Sequence, residues 1–146
     1  MAHDSECIFC KIVAGQIPSA KLVEDDYALA FLDVAPLAEG HALLIPKGHY
    51  QTVDQMPADA AGGMLRHLPA LVRAVQSATG CSGVNVLQNN GRSAHQLVPH
   101  VHFHIIPRNE DDAFHFNWPR ASCEQARMVE LADQIRKGLQ GLKGCL

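Results

Sequence analysis

His100, His102 and His104 alternate with Val101 and Phe103, and Ile105 and Ile106 follow them. Val, Phe and Ile favour extended backbone, where successive side chains point to opposite faces. The spacing therefore predicts apolar residues turned to a core and three imidazoles sharing the other face, neighbours roughly 6.6 Å apart. A neutral imidazole is a nucleophile, a base or a metal ligand near neutral pH. Three roles suit such a row. It can be the polar face of a half-buried strand. It can form part of a zinc site, with two same-face imidazoles converging on one tetrahedral ion. It can also bind a phosphate, one ring attacking phosphorus while the others donate protons or hydrogen bonds. The run alone does not separate the last two.

A second group of reactive side chains is Cys7-x-x-Cys10. Two thiols need two further ligands to close a tetrahedral zinc site. The same pair also fits as small buried hydrophobes at the edge of a helix. A dithiol redox motif is disfavoured, because the βαβ pattern around one is absent. Asp33 follows an apolar strand, where a carboxylate can accept both hydroxyls of a ribose or close an Asx turn. Ile8, Phe9 and Phe31 can form an apolar slot for a purine, and core packing explains each equally well. Asn90-Gly91 alone is a turn. No Gly-rich phosphate loop or paired carboxylate site competes with these groups.

The elements that must position them are legible in outline. Cys10 to Val13 reads as a short helix stopped by Gly15 and Pro18. Ala20–Glu24 and Tyr27–Leu32 read as strands joined at Asp25-Asp26, and His41–Ile45 as a third strand before Pro46. Met64, Leu65, Leu68, Val72 and Val75 recur at helical spacing from about Ala58 to Ala78, a long central helix that Pro69 should kink or split. Gly80 sits where it would end. Gly83–Gln88 and Val98–Ile106 supply two more strands. Ser122 stands three residues before Gln125, a capping-box pattern, and Met128, Leu131, Ile135 and Leu139 form the apolar stripe of a C-terminal helix over about 122–140. Strands in hairpin-like order with helices to one side predict an α+β fold with a mainly antiparallel sheet, in a single domain spanning 1–146.

Composition excludes several function classes. The chain has 146 residues, 47% hydrophobic, long enough to bury a core without staples. Its 12 basic and 15 acidic residues give a net charge of −3, not the basic excess of a nucleic-acid binder. No apolar run approaches the ~20 residues of a membrane span. The polar, acidic start Met-Ala-His-Asp-Ser-Glu is unlike a secretory signal or transit peptide. Five scattered cysteines do not make a disulfide framework. A reducing, cytoplasmic setting is expected.

His100–Ile106 matches at every position the His-φ-His-φ-His-φ-φ signature (φ apolar) of the histidine triad family. Asn89-Asn90-Gly91, Ala94–Val98 and Pro107-Arg108 extend the match. So do Cys7–Ile12, Phe31–Asp33, Pro36, Gly40-His41, Ile45–Lys47 and His49. Together they resemble the bacterial and fungal branch related to nucleoside phosphoramidases. The resemblance implies a five-stranded sheet paired across a homodimer. It implies hydrolysis of purine nucleoside 5′-phosphoramidates, or related adenylylated compounds, at the α-phosphorus. His102 would attack to form a nucleotidyl-histidine, with His100 and His104 completing the catalytic row. Phe9, Phe31, Asp33, Val34, His41, Asn89, His95, Gln96 and Leu97 would join His102 and His104 around the nucleotide. A structural zinc would sit on Cys7, Cys10, His49 and His100, and Trp118 would reach the partner subunit's site. His3, His67 and His115 match nothing and are read as surface residues. Related alternatives are a dinucleoside polyphosphate hydrolase, a nucleotidyltransferase, or a non-catalytic AMP-binding scaffold dimer. Two positions depart from the family pattern. Many relatives carry Gly where His95 stands, and Ser or Thr where Leu97 stands, so His95 becomes the candidate replacement for a missing hydroxyl donor.

Overall fold

Unbroken apolar runs at Ala28–Leu32 and Ala42–Pro46 give strands buried on both faces in the computed structural model, which describes residues 3–113, 115 and 119–142. The strands are β1 (Lys21–Glu24), β2 (Ala28–Leu32), β3 (Ala42–Pro46), β4 (Gly83–Gln88) and β5 (Phe103–Arg108). They form one sheet in the order β1-β2-β3-β5-β4, and every neighbouring pair is antiparallel. The α+β, antiparallel expectation is met. Helices α1 (Ile8–Val13), α2 (Ala58–Leu65) and α3 (Leu68–Thr79) accompany the sheet. The chain divides into two compact units, Met1–Ala113 and Phe114–Leu146. The first holds the sheet and these three helices. The second holds α4 (Gln125–Gly141). Trp118 and Cys145 lie outside the described residues.

Side-chain parity assigns the two faces of the sheet. Ala28, Ala30, Ala42, Leu44 and Ile105 pack with Met64, Leu71 and Val75 from α2 and α3. Leu29, Phe31, Leu43 and Ile45 point the other way and pack with Cys7, Phe9, Cys10 and Ile12 of the α1 segment. His104 pairs in register with Leu43 and so belongs to the α1 face.

The 58–79 helical stretch is divided at Arg66-His67, the split expected near Pro69. Pro69 falls in the first turn of α3, where its missing N–H costs nothing and its fixed φ suits the helix. β5 begins at Phe103 rather than Val98. The His100 N–H bonds back to the Val98 carbonyl at 2.8 Å and the Val101 N–H turns to the Tyr50 carbonyl at 2.7 Å. His100 and His102 therefore stand on an irregular approach to the strand. α4 begins at Gln125 with Glu124 as N-cap and no side-chain cap bond, so the Ser122–Gln125 pair does not form a capping box.

One clamp was not foreseen. Asp25 Oδ1 accepts the N–H groups of Tyr27 and Ala28 at 2.8 and 2.9 Å. Its Oδ2 faces Arg66 and, at 2.8 Å, His67 Nε2. His67 is thus half-buried and paired rather than a free surface residue, and the β1–β2 turn is tied to the α2–α3 junction. Burial alone would raise the Asp25 carboxyl, but Arg66, the two N–H groups and His67 together hold it well below the usual carboxylate range. A depressed folded pKa stabilises above the unfolded value of about 3.9, and that stability is lost as pH falls below it. Asp25→Asn is therefore expected to lower Tm at pH 7, with the gap to wild type closing below about pH 4. Thermal unfolding across that range checks it, and a gap indifferent to pH would contradict the clamp.

Candidate active site

The three histidines do not repeat one environment, and their hydrogen bonds determine which nitrogen of each carries the proton. A carbonyl only accepts. His102 Nδ1 lies 2.7 Å from the His100 carbonyl, so Nδ1 holds the proton and Nε2 keeps a free lone pair. His100 Nε2 lies 3.0 Å from the Pro46 carbonyl, which places its lone pair on Nδ1. For His104 the assignment passes through His41. The Leu37 N–H donates to His41 Nδ1 at 3.1 Å, so neutral His41 carries its proton on Nε2. That atom stands 3.0 Å from His104 Nδ1. His104 therefore accepts at Nδ1 and presents Nε2–H. The row offers a nucleophilic lone pair on His102 beside a donor on His104, with ring centroids 4.9 Å apart.

Burial keeps these rings neutral. It lowers His104 to about 4, with His102 and His41 adding repulsion to a second charge. Burial also lowers His102, against the opposing pull of the His100 carbonyl and Asp33, and lowers His41 against Asp33. Near neutral pH His102 is an unprotonated base, as an attacking imidazole must be.

His100 is fully buried, and its ring serves a different centre. Its Nδ1 lies 3.5 Å from Cys7 Sγ and 3.7 Å from Cys10 Sγ, while His49 Nδ1 lies 3.3 Å from Cys10 Sγ. One ligand atom from each of these four residues falls within 4.8 Å of the others. Two sulfurs and two imidazole nitrogens suit tetrahedral zinc. Burial pushes the Cys10 thiol up, so a thiolate there needs a cation beside it. The far nitrogens are engaged as well, His100 Nε2 by Pro46 and His49 Nε2 by Asp4 Oδ2 at 3.9 Å. Such partners orient metal-binding imidazoles. The residues fit the ion.

Asp33, His41 and His104 also gather, but the lone pair of His41 Nδ1 already accepts the Leu37 N–H, which argues against a second metal set. Asp33 Oδ1 accepts the Ala35 N–H at 2.9 Å in an Asx turn, and Oδ2 stands 3.6 Å from His41 Nδ1. Gly40 brings this loop against α3. Its φ is +84°, and a Cβ there would come within 2.5 Å of Thr79 Cγ2.

Phe9 and Phe31 are buried, edge-on to each other at 5.9 Å. The Phe9 ring also abuts His102 at 5.3 Å, so both lie beneath the triad as core. Val34, 92% exposed, and Ile8 are open to solvent instead. On the other side, Gln96 is committed to its own loop. Its Oε1 accepts the Gly91 N–H at 2.7 Å, and Nε2 donates to the Gln51 and Val98 carbonyls at 2.6 and 3.1 Å. The half-buried Asn89 amide meets no side-chain partner among the described residues. His95 is exposed at φ 62°, in the left-handed region, and Leu97 is 90% exposed. An apolar cavity of about 750 Å³ lies on the α3 face among Leu22, Leu32, Ala74 and Pro107. It holds none of the imidazoles, so volume does not locate the chemistry.

The HIT domain family matches residues 14–111. The chain belongs to the HIT family. Among its relatives is the adenosine 5′-monophosphoramidase hnt1 of Schizosaccharomyces pombe, 46% identical over 130 residues, which are 88% of this chain and 95% of that protein. The adenylylsulfatase HINT3 of Arabidopsis thaliana is 45% identical over 108 residues, 74% of this chain and 55% of that longer one. A crystal structure of a HIT family member from Bacillus subtilis superposes with a TM-score of 0.87 at 39% identity, covering 91% of this chain and 96% of the other. In this HIT chain the positive φ at residue 95 is the backbone reason a glycine fits there. The Asp25–His67 clamp and the pairing of His41 behind His104 had no local signal, because their partners lie 42 and 63 residues away.

Proposed function

We propose that this HIT protein hydrolyses purine nucleoside 5′-phosphoramidates and related adenylylated compounds. The observation that carries this is the His102 tautomer: a neutral ring with its proton committed to a backbone carbonyl and its Nε2 lone pair free. That lone pair attacks the α-phosphorus, the bond from phosphorus to the leaving nitrogen breaks, and a nucleotidyl-histidine forms while the amine departs with a proton. Water then attacks the same phosphorus. The bond to His102 breaks, the nucleoside monophosphate leaves, and the water proton restores the donor. His104 Nε2–H and the unpaired Asn89 amide stabilise charge on the phosphoryl oxygens. Asp33 takes the ribose hydroxyls, while Val34 and Ile8 meet the base. His100 positions His102 through its carbonyl, and Gln96 holds the loop. His95 is the candidate donor to the leaving amine. Cys7, Cys10, His49 and His100 would hold zinc. Four protein ligands leave it no open position, so the ion supplies structure rather than Lewis acidity.

We extend this to a homodimer in the cytoplasm. β4 is an edge strand, and edges of this kind pair readily with another chain. No helix among the described residues is long and apolar enough to cross a membrane, and the acidic balance disfavours nucleic acid as partner.

A substrate panel tests the proposal. Adenosine 5′-phosphoramidate and AMP alkylamides are expected to turn over faster than diadenosine tetraphosphate or adenylyl sulfate. His95→Ala should slow the amidates ~10²-fold or more, with little change for a phenolate leaving group that needs no proton. A faster reaction with either anionic substrate would reassign the enzyme within its family. AMP binding without any turnover would favour the scaffold alternative.

A further inference from the structure

Residues 3–6 precede the first helix and are exposed or half-buried, yet one of them reaches three members of the candidate zinc set. The Asp4 N–H donates to Cys10 Sγ at 3.4 Å. The Asp4 carbonyl accepts the Cys7 N–H at 3.2 Å. Asp4 Oδ2 stands 3.9 Å from His49 Nε2. Its neighbour His3 reaches the same place by another route, donating from Nε2 to the Cys10 carbonyl at 3.2 Å.

The two oxygens of the Asp4 carboxylate have separate partners. Oδ1 accepts the Glu6 N–H at 2.8 Å, an Asx turn that fixes the side chain. Oδ2 is thereby aimed at His49, and Asp4 forms no other ion pair among the described residues. His49 turns Nδ1 to Cys10 Sγ at 3.3 Å, so Nε2 is the nitrogen facing away from the sulfur. At 3.9 Å the contact with Asp4 is between charges rather than a hydrogen bond. A cation drawn to Nδ1 withdraws electrons from the ring and leaves Nε2–H more positive. A carboxylate on that side favours the tautomer with its lone pair on Nδ1 and strengthens that nitrogen as a ligand.

Resting on the zinc assignment made in the proposed function, we propose that Asp4 is a positioning residue of the metal centre. Without ligating the ion, it sets through His49 how tightly Cys7, Cys10, His49 and His100 hold zinc.

Asp4→Asn separates this role from folding. Asparagine keeps an oxygen for the Glu6 N–H and keeps the backbone N–H to Cys10, losing only the charge that faces His49. Full-length wild type, Asp4→Asn and His3→Ala are loaded with stoichiometric zinc and titrated with a chromophoric chelator. Tm is read for the zinc-loaded and metal-free forms. Asp4→Asn is expected to bind zinc about 10- to 100-fold more weakly, with the metal-free Tm unchanged. His3→Ala, which removes an anchor of the same segment without touching His49, should keep wild-type affinity. Wild-type affinity in Asp4→Asn would overturn the proposal. So would equal losses in both variants, which would assign the effect to anchoring of the segment. An equal fall in Tm with and without metal would make Asp4 merely structural. Folded wild-type protein that binds no zinc would overturn the zinc assignment, and this proposal with it.

Discussion

His102→Ala is expected to abolish turnover, lowering kcat by ~10⁴-fold or more, with the protein still folded and still binding AMP. The magnitude follows from removing the only triad nitrogen whose lone pair meets no partner among the described residues, on a ring that burial keeps neutral. His104 cannot replace it, because its Nδ1 is occupied by His41 and its Nε2 carries the proton. His100 cannot either, since its ring is fully buried among the cysteines. Folding should survive, because the lost ring makes one hydrogen bond, to a carbonyl, and edge contacts with Phe9 and His104. His102→Gly should recover part of the activity when imidazole is added, since the vacated space matches the missing nucleophile. Residual hydrolysis within tenfold of wild type would rule out His102 as the attacking group. Circular dichroism and AMP titration distinguish loss of chemistry from loss of fold.

The second large effect concerns the metal. Protein purified without an affinity tag is expected to carry about one zinc per chain, and stripping it should lower Tm by roughly 10 °C or more. The four ligands come from α1 and its N-cap, from the segment after β3 and from the approach to β5. One ion would therefore cross-link three stretches of chain that otherwise meet through packing and a few polar contacts. Cys10→Ser should lose both the metal and the stability, because Cys10 Sγ faces His49 and His100 alike. Elemental analysis and thermal unfolding read the two outcomes separately. Metal-free protein recovered from zinc-replete growth would return the cysteines to a packing role.

Much of this was legible in the chain. The short apolar runs at Ala28–Leu32 and Ala42–Pro46, bounded by turn residues, marked strands, and the 58–79 spacing marked helix with Pro69 as its interruption. The alternation of His100, His102 and His104 marked the site by residue type, leaving metal binding and phosphate chemistry both open. The same alternation misjudged the backbone: three evenly spaced rings on one strand became one ring on β5 and two on an irregular approach, because Val101 bonds to Tyr50 rather than to a neighbouring strand. The capping box at Ser122 also had the right residues without forming the bond. Local pattern measures propensity, and a hydrogen bond to a distant carbonyl outweighs it.

By itself, then, the sequence determined the element types and the row of imidazoles spaced by apolar residues, since those depend on periodicity and residue type; that cysteine and aspartate belong beside that row was implied only by the family resemblance. Only the tertiary structure decided which nitrogen of each histidine carries its proton. A neutral imidazole has two nitrogens that the sequence cannot tell apart. Pro46 behind His100, the His100 carbonyl behind His102, and His41 held by Leu37 behind His104 settle where each proton sits, so His100 turns a lone pair to the cysteines, His102 keeps a free one, and His104 presents an N–H.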